Sequence, residues 1–403
     1  MKILQIIPSI SLVYGGPSQM VLGLSESLAQ QGQEVTIITT NTNGDQGQLP
    51  LDVPLEIPQQ QNGYQIIYFP CFPFKRYKFS LPLLKWLSRH GKNYDIAHIH
   101  ALFSPLSTFS AKVCHQQKLP YILRPLGTLD PKDLAKKKIL KYIYGYTLEK
   151  SNLKNSALLH FTSAREAEIS VTFGAKINKA IIPLGVKIEP NLIDNDFIYN
   201  KFALPRDKIL ILFMSRIEPK KGLNLLIPAL KKLALSNQEF HFILAGGNPQ
   251  DQDYEEKIKA EIKQSPLEKC TTITGFVRGE NKQALLEIAD LFVLPSHYEN
   301  FGIAVVEASA RRLPVVISDQ VYISDTIKTY NAGWVCKLTE DDLYQQLTLA
   351  LADEADRKQR GENGFNLVQQ QYTWGKGAET IIKIYQQIVT ESKGQEKGQR
   401  GKN

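Results

Sequence analysis

Four hundred and three residues, 43% of them hydrophobic, supply more core than one small domain uses, so the length predicts two domains. The net charge of +8 sits in the first half: residues 1–190 hold 21 Lys+Arg against 12 Asp+Glu, and the remainder 27 against 28. Zinc-finger spacing, a basic zipper and an RNA-binding signature are all missing, which sets aside nucleic acid and leaves an anionic membrane surface as the expected partner of the basic half. No apolar run reaches transmembrane length, and the opening Met1–Pro8 stretch is too short for a signal peptide. Cys71, Cys114, Cys270 and Cys336 show neither paired nor metal-ligand spacing and read as reduced thiols of a cytoplasmic protein.

Lys2 to Pro8 is apolar on both faces and predicts a buried parallel strand. Gly15-Gly16-Pro17-Ser18 then opens a helix to about Gln30. Glycine admits close approach of a ligand and proline suits a first turn, although a plain strand-to-helix turn accounts for the same residues. Glu34–Thr40 and Tyr64–Phe69 predict strands, with a polar, turn-rich loop over 41–63. From Phe72 to Arg89, aromatic and aliphatic residues interleave with Lys and Arg, the pattern of an interfacial segment or of an ordinary surface helix. Ile96 to Ile99 predicts a strand with His98 and His100 on one face, and no third residue completes a zinc set. His100 stands at a carboxyl strand end, where parallel sheets bind ligands. After strand Tyr121–Leu123, Arg124 is a candidate acceptor or phosphate contact, with a surface salt bridge as the alternative. A basic helix is expected from Pro131 to about Lys150, and residues 70–150 hold 15 Lys+Arg against 4 Asp+Glu. Ala157–Thr162 predicts a strand, and Ser163-x-x-Glu166 a capping box.

Residues 188–207 lead into a second strand–helix series. Lys208–Met214 predicts a strand followed by Ser215-Arg216-Ile217-Glu218-Pro219-Lys220-Lys221-Gly222. This is not a P-loop and alone reads as a solvated basic loop, although an Arg fork and a Lys point charge also suit a phosphate-bearing ligand. Phe240–Ala245 and Thr271–Thr274 are further strands. Asp251 and Asp253 precede Tyr254-Glu255-Glu256 and read as a helix cap with favourable first-turn charge, so no catalytic metal is expected. Leu291–Leu294 predicts a strand running into Pro295–Ala308, where a helix opens at about Phe301 and continues to Arg312. Free N–H groups and the dipole at such a start suit an anion, and Glu299 and Glu307 flank it with seven residues between them. Strands Leu313–Ile317 and Gly333–Cys336 and helices Asp341–Ala352, Glu354–Gln371 and Trp374–Val389 follow. Residues 391–403 offer no apolar side chain and are expected to form a disordered tail.

A glycine-rich turn after the first strand, an Arg/Lys pair in the second half and then E-x7-E follow one another in the order of the retaining nucleotide-sugar glycosyltransferases of family 4, which the chain resembles over nearly its whole length. The resemblance implies an α/β protein of GT-B fold, two Rossmann-like parallel-sheet domains facing across a cleft. Residues 1–187 would bind the acceptor and 188–372 the nucleotide sugar, with a C-terminal helix over 373–390 returning to the first domain. It further implies transfer of a hexosyl unit from a UDP- or GDP-sugar, with retention and without metal or other cofactor, to a glycan or lipid-linked saccharide in polysaccharide or lipopolysaccharide assembly. Residue by residue, Arg216 and Lys221 would stabilise the diphosphate, Glu299 the sugar hydroxyls and Glu307 the ribose. His100 would lie near the transferred sugar, Gly15 and Gly16 against the donor diphosphate, and Phe276 and Val277 in the nucleobase loop. The backbone of Asn300, Phe301 and Gly302 would hold phosphate or sugar, and Arg124 would meet the acceptor. Leu184 and Lys187 depart from the family's Asn-Gly-Val-Asp, so no role is assigned there. A GT-B nucleotide-sugar epimerase and a non-catalytic nucleotide-sugar-binding protein are the alternatives. Acceptor-dependent turnover separates all three. The expected location is cytoplasmic, peripheral on the membrane.

Overall fold

The computed structural model describes residues 1–45, 48–72, 78–188, 195–236, 238–249 and 251–400, with backbone alone for 395–400. Residues 73–77 of the aromatic-basic segment and 401–403 of the expected tail therefore lie outside it. The chain divides into two compact units, Met1–Gly185 with Trp374–Asn403, and Val186–Thr373.

The first unit is built on β1 (Lys2–Ser9), β2 (Glu34–Thr40), β3 (Gln59–Gln61), β4 (Tyr64–Phe69), β5 (Ile96–His100), β6 (Tyr121–Arg124), β7 (Leu158–Phe161) and β8 (Lys179–Ile181). Their order in the sheet is β3-β4-β2-β1-β5-β6-β7-β8. All neighbours are parallel except β3 with β4. Strand order reverses between β1 and β5, the point at which open parallel sheets leave a crevice beyond their carboxyl ends. Apolar side chains on both faces of β1 feed two cores, Leu4 and Ile6 on one side and Ile3 and Ile7 on the other. The final helix, Trp374–Arg400, supplies Ala378, Ile381 and Tyr385 to the second of these.

The second unit has β9 (Ile209–Met214), β10 (Phe240–Ala245), β11 (Thr271–Gly275), β12 (Leu291–Leu294), β13 (Val315–Ser318) and β14 (Gly333–Cys336). The order is β11-β10-β9-β12-β13-β14, all parallel, with the reversal between β9 and β12. Both strands are almost wholly buried, as continuous runs such as Leu-Phe-Val-Leu demand.

The structure corrects four expectations. The loop over 41–63 contains β3, an all-glutamine edge strand carrying no hydrophobic signal. The single helix over 131–150 is instead Pro131–Ala135, Lys138–Tyr144, a π-turn Gly145–Glu149 and Lys150–Asn155. The break falls at Lys137, which is left-handed at φ +61 between two like charges. Residues 391–400 are not disordered: the final helix runs through them to Arg400, because Glu, Lys and Gln propagate a helix already anchored by its preceding turns. Finally, the division falls after Gly185 and before Trp374, a few residues from the expected 187 and 373.

Candidate active site

β9 and β12 are hydrogen-bonded neighbours, so the loops leaving their carboxyl ends emerge side by side. The first loop closes with the turn Pro219–Lys221 and Gly222, whose φ is +78. A Cβ at Gly222 would overlap the Pro295 carbonyl oxygen, so only glycine lets the two loops touch. The His297 N–H donates to the Lys220 carbonyl at 2.8 Å across the same seam. On its other side the second loop is held by Glu299 N–H donating to Gln320 O at 3.0 Å and by Tyr322 N–H donating to Glu299 O at 2.9 Å. Glu299 is therefore fixed through its backbone, and its side chain is aimed at the first loop.

There it accepts a hydrogen bond from Lys221 Nζ; the two side chains are only 11% (Lys221) and 18% (Glu299) exposed. Burial pushes the Lys221 ammonium below its usual value, with Glu299 opposing. Burial pushes the Glu299 carboxyl up, but Lys221, Lys220 and Arg216 together outweigh it and hold the group below the usual carboxylate range. Arg216 Nη2 lies 3.3 Å from Glu218 Oε1 and Lys220 Nζ 3.6 Å from the same oxygen. Three cations thus share two carboxylates. Arg216, 44% exposed, is the most solvent-accessible of the five for which a figure bears on this point. A third loop leans on this pair: Gly246 has no room for a Cβ against the Ser215 carbonyl, and buried Asn248 donates from Nδ2 to Ile217 O at 3.0 Å.

Glu307 stands further along, on the helix Ile303–Ser309, which is shorter than expected and capped by left-handed Gly302. Its Oε1 receives Lys282 Nζ at 2.5 Å. Phe301 is buried edge-on to Tyr372, so only its backbone faces the turn. Phe276 is 72% exposed beyond β11, and Val277 is half-buried beside it. Asp251 caps its helix by accepting from Tyr254 N–H at 3.3 Å, and Asp253 lies in the first turn. Among the described residues no group of three His, Cys, Asp or Glu is placed to hold a metal ion.

In the first unit Gly15, at φ +67 with open space where a Cβ would stand, precedes the helix Gly16–Gln30. Tyr14 donates from its hydroxyl to Asp45 at 2.9 Å, and Asp45 also pairs with Lys78 at 2.9 Å, tying this turn to the loop after β2. His100 and Arg124 do not reach a surface. His100 is fully buried, its Nε2 on Gln5 Oε1 at 2.7 Å and its ring stacked 4.4 Å from His98. His98 Nδ1 meets the Tyr385 hydroxyl at 2.7 Å, and His160 Nδ1 lies 3.3 Å from His98 Nε2. Arg124 is buried among them, with NH1 on the Met20 sulfur, and burial draws its guanidinium down to about 10. The same burial, with Arg124 nearby, holds all three imidazoles well below their usual value and hence neutral. The surface salt bridge considered for Arg124 is not formed. In Ser163-x-x-Glu166, Ser163 Oγ accepts from Glu166 N–H at 3.1 Å as a cap does, and the Glu166 carboxylate also accepts from Thr162 N–H and Gly127 N–H.

The sequence reading missed Lys282, Glu218, Asn248 and Tyr14. Only Glu218 carried a signal, as the lone acid in a basic loop.

Two units built on largely parallel sheets, the second with paired basic and acidic side chains at its strand-order reversal, define an α/β protein with a charged candidate site, and comparison with known proteins places its family. The model described as "Glycosyl transferase 4-like domain" matches residues 15–185, and "Glycosyl transferases group 1" matches residues 194–367. The 2-deoxystreptamine N-acetyl-D-glucosaminyltransferase of Niallia circulans is 27% identical over 323 residues, spanning 75% of this chain and 79% of its own. Among solved structures, sucrose-phosphate synthase from Thermosynechococcus elongatus superposes with a TM-score of 0.77 at 21% identity, over 97% of this chain and all (100%) of that one. The Anabaena HepE protein in complex with UDP and glucose does so with a TM-score of 0.73 at 17% identity, over 96% and 100%. The chain belongs to the family 4 glycosyltransferases and has their GT-B fold.

Proposed function

We propose that this glycosyltransferase moves a hexosyl unit from a UDP- or GDP-sugar to a glycan or lipid-linked saccharide, with retention of configuration, in polysaccharide or lipopolysaccharide assembly. The observation that carries the reading is the Arg216–Lys220–Lys221 cluster held against Glu299 by the Gly222–Pro295 contact. A departing nucleoside diphosphate gains negative charge, and fixed cations that need no reorganisation stabilise it. Arg216, exposed and with a guanidinium fork that suits a diphosphate, and Lys221 take that role. Glu299, kept ionised, accepts hydrogen bonds from hydroxyls of the transferred sugar. Glu307, steadied by Lys282, accepts from the ribose. The turn Asn300–Gly302 offers backbone N–H groups to phosphate or sugar, and Phe276 and Val277 flank the nucleobase. Gly15 and Gly16 leave room for the diphosphate. His100 and Arg124 shape the first unit from within its core. Diphosphate stabilisation and positioning carry the catalysis without a metal ion or cofactor. The HepE structure, a complex with UDP and glucose, supports a nucleotide-sugar donor. The protein is cytoplasmic and rests peripherally on an anionic membrane through its basic first unit.

The test is a thermal-shift screen against UDP, GDP, ADP and their sugars, followed by steady-state kinetics with the best donor. A ligand at ~100 times its Kd stabilises by ~2.7 kcal/mol. Arg216→Ala lowers kcat most. Glu299→Ala lowers kcat, and Glu307→Ala mainly raises KM, each by roughly ten- to a hundredfold. Glutamate variants with native kcat and KM overturn the assignment. Donor binding without acceptor-dependent turnover favours a non-catalytic binder.

A further inference from the structure

The helix Lys138–Tyr144 buries none of its residues, an arrangement a packed amphipathic helix does not leave. Ile139, Leu140 and Ile143 are 78%, 53% and 57% exposed. Spacings of three and four put them on one side. Beside the stripe the segment is anchored: Leu134 before the helix is fully buried, Tyr142 and Tyr146 pack against Phe173 at 5.8 and 5.3 Å, and Tyr144 shares a hydrogen bond with Thr108 at 2.8 Å. The apolar stripe is thus held outward by fixed contacts.

Around it the charge has one sign. Lys132, Lys136, Lys137, Lys138, Lys150 and Lys154 are exposed. The three nearby acids do not offset them at the surface: Asp130 is buried and accepts from Lys132 N–H at 2.7 Å, Asp133 is engaged by Lys136 at 3.6 Å and Lys141 at 2.6 Å, and Glu149 is fully buried on Thr108, Phe103 and Asn152. An apolar stripe flanked in sequence by exposed lysines is complementary to a bilayer with anionic headgroups: the lysines meet the headgroups and the aliphatic side chains enter the acyl boundary. A protein partner of matching charge would need an acidic rim around an apolar groove.

We propose that the Lys138–Tyr144 helix is the membrane-insertion element of this protein, with Ile139, Leu140 and Ile143 entering an anionic leaflet. This deepens the peripheral-membrane reading above and rests on it. Binding is measured without turnover, so it stands or falls apart from the glycosyltransferase assignment.

The full chain is sedimented with phosphatidylcholine vesicles containing ~30% phosphatidylglycerol, and with phosphatidylcholine alone, at ~20 mM and ~0.5 M NaCl. Anionic vesicles bind at low salt and release at high salt. Lys132→Gln/Lys137→Asn/Lys138→Gln weakens binding on the order of a hundredfold, about fivefold per lysine, with Asn chosen because it tolerates the left-handed position. Ile139→Gln/Ile143→Gln weakens it at least ~10-fold. These side chains are exposed, so unchanged melting temperatures accompany both losses. Three results overturn the proposal: no binding to anionic vesicles at low salt, equal binding to neutral ones, or binding that survives both sets of substitutions. Self-association through this helix, measured by sedimentation velocity and abolished by Ile143→Gln without any vesicle binding, overturns it in favour of a second copy of the chain.

Discussion

Lys221 and Glu299 are best tested as a pair. Each is nearly buried, at 11% and 18% exposure, and each is the other's hydrogen-bonded counter-ion. Glu299→Gln keeps the shape but strands the ammonium beside Lys220. The cost is capped because Lys221 can instead lose its proton: from an ordinary value of 10.5 that takes roughly 5 kcal/mol at pH 7. Lys221→Met strands a carboxylate, whose escape by protonation from 4.5 caps the cost at roughly 3.5 kcal/mol. Lys220 and Arg216 remain to compensate Glu299 in part, so this variant loses less. Within those caps, broken buried pairs cost ~3–5 kcal/mol, whereas removing both partners is nearly neutral. We expect about 3–4 kcal/mol for Glu299→Gln, about 2–3 for Lys221→Met and about 1 for the double variant. The pH dependence has a definite sign. Glu299 is held below its unfolded value, so its contribution is present above about pH 4.5 and is lost as pH falls through the lower folded value, and the Lys221→Met penalty shrinks in acid. Hydrogen exchange of β9 and β12 amides in the full chain reads these energies locally and avoids assuming one transition for two units. Penalties that simply add in the double variant would refute the pairing.

Other outcomes follow from the same coordinates. Gly222→Ala forces a left-handed Ala against the Pro295 carbonyl, so it destabilises the second unit by at least ~2 kcal/mol and drops kcat/KM more than tenfold; a native melting temperature with native kinetics counts against the loop seam. In the first unit, His98, His100 and His160 are neutral when folded and take up protons when unfolded, so stability is complete above about pH 6.5 and is lost as pH falls below it. Three such groups remove roughly 3–4 kcal/mol between pH 6 and 5, offset in part by Glu149 and Glu166, whose raised values favour the folded state in acid; urea titrations at pH 7, 6 and 5 measure the slope, and a flat profile contradicts it. Activity with the best donor persists in excess EDTA; complete loss restored by Mn²⁺ would return Asp251 and Asp253 as candidates.

What the sequence showed and hid follows from range. Strands β1, β9 and β12 were legible because residues buried on both faces must be apolar, and the cap at Asp251 was legible because its partner lies three residues on. The Gly222 requirement was not, since the oxygen that forbids a side chain belongs to Pro295, on the next loop. His100 looked like a strand-end ligand group. Its actual environment comes from Gln5 on β1, Arg124 on β6 and the neighbouring His98, itself held by Tyr385 of the last helix and His160 of β7, which local periodicity does not connect. The helix break at Lys137 and the continuation to Arg400 are failures of the opposite kind, where composition was read without the contacts that anchor each turn.

The two glutamates show how much the structure adds to a spacing. In sequence they are equivalent ends of one motif. In the fold, Glu299 belongs to a loop rather than a helix, bonded through its N–H to Gln320 and through its carbonyl to Tyr322, with its carboxylate locked on a buried lysine. On the proposed roles, an incoming anion that recruits Lys221 would loosen that pair and release the Glu299 carboxylate to accept from a hydroxyl. That would couple Glu299 to the charge that appears during reaction. Glu307 sits on the short helix and is answered by Lys282 of the helix Gly279–Ile288. On the proposed roles its pairing involves neither Lys221 nor the leaving-group charge, so it would discriminate between bound and free donor. For that reason the two substitutions separate into a kcat effect and a KM effect, although the side chains are chemically identical.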